Sequence, residues 1–97
     1  MQTYVLLSKL TPEGRKTVKD RPQRITEVNR EVEGFGGKVV SQFAVLGAYD
    51  FVTILEAPDN ETVARISSEL GSRGTIELMS MPAFSVEELT KGLKKSK

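Results

Sequence analysis

Five polar side chains stand among apolar neighbours in the strand-like stretches of this chain: Tyr4, Gln42, Tyr49, Thr53 and Glu77. Two phenols, an amide, a hydroxyl and a carboxylate can hold a small molecule by hydrogen bonds. They form a weak catalytic set. Glu77 is the single acid among them, so a paired-carboxylate mechanism lacks its second member. The sequence has no histidine and no cysteine. That excludes a Ser-His triad, a thiol nucleophile, a disulfide framework and metal held by imidazole or thiolate. No catalytic residue, no metal ligand and no cofactor is expected.

Other motifs invite chemistry and fall short. Gly34-Phe35-Gly36-Gly37-Lys38 looks like a phosphate loop, but Val32 stands where its first glycine belongs and Val39 where Ser or Thr belongs. Gly71-Ser72-Arg73-Gly74 has G-x-x-G spacing, yet it joins a helix to a strand and not two helices. Asn60-Glu61-Thr62 fits a glycosylation sequon, with nothing else pointing to secretion. Arg15, Lys16, Lys19, Arg21 and Arg24 are interrupted by acids and read as a solvated helix face. No basic and aromatic stacking platform is present, so nucleic acid is not an expected partner.

These side chains must be positioned by one small domain, given 97 residues. Four of the fourteen basic residues fall in the last seven positions, leaving ten against thirteen acids: a mildly acidic body with a basic tail. We expect a single domain over residues 1–90 and a tail over 91–97. No apolar run is long enough to span a bilayer. With no leader-like start, no membrane association and a cytoplasmic location are expected.

Residues 2–8 alternate as a first strand. Thr11-Pro12-Glu13 opens a helix: Thr caps, Pro takes the first helical position and Glu suits the first turn. The stripe Val18, Ile25, Val28, Val32, Phe35 continues it, with a kink near Pro22 and a stop at Gly34. Strands are expected over 38–46 and 49–57, joined by a two-residue turn at Gly47-Ala48. Asp59 or Asn60 caps a helix carrying Val63, Ile66 and Leu70. A fourth strand covers 75–81. Ser85 starts a short last helix with Leu89 and Leu93. The order β-α-β-β-α-β plus a terminal helix is ferredoxin-like, an α+β fold with a four-stranded antiparallel sheet and its helices on one face.

The two-residue turn sets Leu46 opposite Tyr49. One face then carries Val5, Leu7, Val39, Ser41, Phe43, Val52, Ile54, Ile76 and Leu78, and its β-branched content suits packing under helices. The other carries Tyr4, Leu6, Gln42, Tyr49, Phe51, Thr53, Leu55, Glu77, Met79 and Met81. That second face is too apolar to stand in water, so a second copy of the chain is expected to cover it. The five polar residues would line this sheet–sheet interface and bind a small ligand or a partner protein there.

The stretch GAYDFVTILEAPDNETVARISSELGSRGT, with TYVLLSKLTPEGRKTVKDRP before it and MPAF after it, resembles the GYD-domain family. Gly47, Tyr49 and Asp50 match the motif that names the family. The resemblance implies a dimeric α+β barrel and assigns no chemistry. The same hairpin is similar to the effector-binding domain of leucine- and asparagine-responsive regulators, which bind amino acids between subunits. No helix-turn-helix precedes it here. The resulting expectation is a homo-oligomeric binding module. The alternative is a cofactor-independent enzyme of the small monooxygenase or isomerase kind acting on a hydrophobic substrate, relying on Tyr4, Tyr49 and Glu77.

Overall fold

The computed structural model describes residues 1–95. The chain runs β1 (Gln2–Leu10), α1 (Pro12–Asp20), α2 (Arg24–Gly34), β2 (Lys38–Ala44), β3 (Phe51–Ala57), α3 (Asn60–Gly71), β4 (Ile76–Ala83) and α4 (Val86–Lys95). The expected kink at Pro22 is a full break, and it divides the first helical region into α1 and α2. The four strands form one antiparallel sheet in the order β2-β3-β1-β4. This is the ferredoxin-like α+β arrangement.

Local chemistry explains the helix starts. The Thr11 hydroxyl accepts from the Gly14 amide at 3.1 Å. Asp59 accepts from the Thr62 amide at 2.9 Å and from its hydroxyl at 2.7 Å. Both caps satisfy amides that have no partner within the helix.

The core lies between the sheet and α2 and α3. Tyr4, Leu6, Leu55 and Ala57 from the sheet meet Val32 of α2 and Val63, Ile66 and Leu70 of α3, all nearly inaccessible. This corrects the expected face assignment. Tyr4, Leu6, Ser8, Thr53 and Leu55 lie under the helices. The outer face is formed instead by Val5 and Leu7 of β1, Phe43 of β2, Val52 and Ile54 of β3, and Met79 and Met81 of β4. Both faces of β1 and β3 are apolar, so alternation defines two sets without saying which one receives the helices.

The hairpin differs as well. Pairing stops at Ala44–Phe51, and one further bond joins the Val45 amide to the Asp50 carbonyl at 2.9 Å. Four residues, Leu46 to Tyr49, therefore form the turn instead of two. Gly47 sits in it at φ +123°, a conformation only glycine adopts without strain. The expected register holds from Ser41 to Ala44. A bulge at Val40 then shifts it, so that Val39 opposes Leu55 and joins the helix side. On β4, Ile76 and Leu78 do face the helices, because Leu10 and Ser8 lie opposite them. α4 crosses the expected boundary at residue 90 and continues to Lys95, burying no residue. Residues 96–97 of the expected tail lie outside the described residues.

Candidate functional site

Two surfaces could recognise another molecule. The first is the outer face of the sheet. Phe43 is 59% exposed, Met79 48% and Met81 37%, around half-buried Val5, Leu7, Val52 and Ile54. Nothing in the described residues covers this face. α4 adds Val86, Leu89 and Leu93, all exposed and spaced along one helix side. Tyr49 and Glu77 belong to the outer face. With Leu7, Lys9, Ala48 and Met79 they line an open hollow of about 310 Å³ where the turn meets β1 and β4. The Tyr49 hydroxyl lies 3.9 Å from the Met79 sulfur, a weak contact.

The turn is held to β1 by Asp50. Its carboxylate accepts from the Leu10 amide at 2.8 Å, and its own amide donates to the Ser8 carbonyl at 2.8 Å. The Asp50 carboxylate thus bonds backbone and fixes the turn.

The second surface is a hollow of about 250 Å³ between α1, α2 and the inner face of the sheet. Val18, Ile25 and Val28 form its roof, and Phe51, Ile76 and Leu78 part of its floor. Gln42 and Thr53 lie here, away from Tyr49 and Glu77. Gln42 Nε2 donates to Thr53 Oγ1 at 3.0 Å and to Asn29 Oδ1 at 3.3 Å. Asn29 Nδ2 donates to Gln42 Oε1 at 2.7 Å. This amide pair fastens α2 to β2 and β3.

Arg24 and Arg73 stand at the rim of the hollow. Glu31 joins them, 3.5 Å from Arg24 and hydrogen-bonded to Arg73. The bond from Arg73 holds the Glu31 carboxyl below the usual glutamate range and raises the Arg73 guanidinium in turn. The network extends to Glu27 and Arg21 on one side and Glu69 on the other.

Tyr4 belongs to neither surface. Its hydroxyl lies 2.6 Å from Asn60 Oδ1 and 3.0 Å from Gln2 Oε1, and its one proton goes to the nearer oxygen. Desolvation, then the nearby Asp59 charge, raises its pKa. The phenol pins β1 to the start of α3. The five sequence-selected residues are thus divided: Tyr49 and Glu77 outside, Gln42 and Thr53 inside, Tyr4 in the core. Ser8 and Asn29 of the hollow were not among the five. Asn29 had a signal, since it is a polar residue beside Val28 and Val32 on the apolar stripe of a helix.

Comparison with known proteins settles the family. The GYD-domain profile matches residues 4–93, nearly the whole chain and all four strands. The chain belongs to the GYD-domain family. In this GYD domain the motif residues hold the β2–β3 turn: Gly47 supplies its positive φ and Asp50 its clamp to β1. The chain is 48% identical over 95 residues to the glutamine synthetase and cystathionine β-lyase binding protein of Thermus thermophilus, covering 97% of this chain and all of that one. The crystal structure of TTHA0845 from the same organism shares the fold of this GYD domain. Its TM-score is 0.54 and its identity 20%, over 88% of this chain and 95% of that one. Among the described residues no helix is long and apolar enough to cross a membrane, and no group of three or more acids could hold a metal ion.

Proposed function

We propose that this GYD domain is a non-catalytic, homo-oligomeric module that binds a metabolic enzyme. The partner would be of the glutamine synthetase or cystathionine β-lyase kind, and the module would work in the cytoplasm. The observation that carries the homo-oligomeric part of the reading is the uncovered apolar outer face. Covering one half-exposed Val, Leu, Ile, Phe or Met side chain contributes about 1 kcal/mol. The outer-face residues from each of two facing copies together are comparable to an association cost of about 4–15 kcal/mol. A symmetric pair places the same face on both copies and closes the surface without filaments. The name of the Thermus thermophilus relative supports a protein partner. On the outer face Tyr49 and Glu77 share their hollow with Lys9 and with no second acid, so a paired-carboxylate mechanism has no second member there.

The test mixes the purified chain with glutamine synthetase or cystathionine β-lyase from its own host and follows co-elution on size exclusion. The wild type should co-elute with at least one enzyme. A Phe43→Lys, Met79→Lys double variant replaces exposed side chains, so it should fold normally and elute as a monomer when run without enzyme. Failure of the wild type to co-elute with either enzyme would remove the partner reading.

A further inference from the structure

We propose that the hollow beneath α1 and α2 is a binding site for a small neutral molecule with an apolar body and one carbonyl-type oxygen, such as a medium-chain ketone, ester or lactone. The inference is independent of the enzyme-binding reading and concerns the opposite face of the sheet. At about 250 Å³ the hollow exceeds what a single ring needs and approaches the range of small-molecule sites. Its walls are mostly aliphatic.

The polar groups that reach the hollow have unspent donors. Thr53 Oγ1 accepts from Gln42 but donates to nothing among the described residues. The Ser8 hydroxyl makes no hydrogen bond among them, although the residue is only 5% exposed. No side-chain oxygen or nitrogen sealed from solvent lacks a partner among the described residues. The Ser8 oxygen is therefore reached by solvent, and the hollow that Ser8 lines provides the route. Leu6 pairs with Thr53 and Ser8 with Phe51, so Ser8 and Thr53 are diagonal neighbours on the inner face. Two hydroxyls with unused donors at diagonal positions of an apolar floor each call for an acceptor.

The charge at the rim decides between acceptors. Arg24 and Arg73 are both engaged by Glu31, and each has a further carboxylate, Glu27 or Glu69. A ligand carboxylate would have to displace these partners, and an ammonium would be desolvated against aliphatic walls, beside carboxylates already paired with arginine. A neutral carbonyl fits both the floor and the rim.

The experiment is a methyl NMR titration of the full chain with four probes of equal chain length: 2-octanone, octane, octanoate and octylamine. The expected result is saturable shifts at the methyls of Val18, Ile25 and Ile76 with 2-octanone. Its affinity should exceed that of octane by about tenfold, as one or two hydrogen bonds imply, and octanoate and octylamine should bind more weakly than the ketone. Ser8→Ala and Thr53→Val should each bring 2-octanone close to the octane level. Ser8→Ala breaks no existing bond, so it remains informative if Thr53→Val disturbs the Gln42 network. A hollow that holds only water would give no saturable shifts and would overturn the proposal. So would equal affinity for ketone and octane in the wild type, tighter binding of octanoate, or shifts confined to Leu7 and Val52 on the outer face.

Discussion

Gly14→Ala offers a test in which two physical effects predict opposite signs. Gly14 lies in the first turn of α1, where alanine has the higher helix propensity by about 1 kcal/mol. On propensity alone the variant would be more stable. The structure reverses this. A Cβ built on Gly14 would stand 1.9 Å from the Thr75 carbonyl oxygen and 2.9 Å from its carbon. These are backbone atoms at the entrance to β4 and cannot rotate away. Relief requires the start of α1 to move by about 1.5 Å, counting an ordinary contact from 3.4 Å. That movement stretches the bond from the Thr11 amide to the Thr75 carbonyl at 3.1 Å and the one from the Thr11 hydroxyl to the Gly74 carbonyl at 2.9 Å. Two such bonds contribute about 2 kcal/mol together, and residual overpacking adds about 1–3 kcal/mol. After the propensity gain the net loss is about 2–4 kcal/mol. Urea unfolding followed by circular dichroism measures it. With a slope of about 1–2 kcal/mol/M the midpoint should fall by roughly 1–4 M. Gly71→Ala is the control, because no atom lies within 4 Å of its added Cβ; its midpoint should hold or rise. A Gly14→Ala midpoint at or above wild type would refute the packing of α1 against Thr75.

Three further outcomes are expected. Gly47→Ala should lower stability by roughly 1 kcal/mol or more through its φ of +123°, with open space around the Cβ, whereas Ala48→Gly should be nearly silent in the same urea titration. Asp59 is held below the usual aspartate range chiefly by its hydrogen bond from the Thr62 hydroxyl, and then by that from the Thr62 amide. Its stabilisation is therefore present above the unfolded-state pKa and lost as pH falls through the lower folded one, so the melting temperature of Asp59→Ala should decline less on acidification than that of wild type. Truncation from Lys94 onward should leave the melting temperature unchanged, because α4 buries no residue; a loss beyond about 1 kcal/mol would show that its end docks.

Much of the fold was legible because the signals are local. Thr11-Pro12 and Asp59 act within one turn, and the 3.6-residue stripes of α2 and α3 mark the residues that are buried. Even the pairing of β2 with β3 followed from the turn between Ser41 and Ala44. The bulge at Val40 left no signal, because one more valine in an apolar strand alters no pattern. The choice of face was illegible for a similar reason. Val5 and Leu7 are as apolar as Tyr4 and Leu6, and the deciding contacts are distant, such as the bond from Tyr4 to Asn60. The candidate residues separated into three environments on that account. The close approach at Gly14 depends on Thr75, which no local pattern connects to it.

The central claim is that the outer sheet face is a protein interface, and sedimentation velocity of the chain at micromolar concentration tests it most directly. The wild type should sediment as a dimer or larger, and the Phe43→Lys, Met79→Lys variant as a monomer with an unchanged circular dichroism spectrum. A wild type that sediments as a monomer at that concentration, indistinguishable from the variant, would contradict the claim.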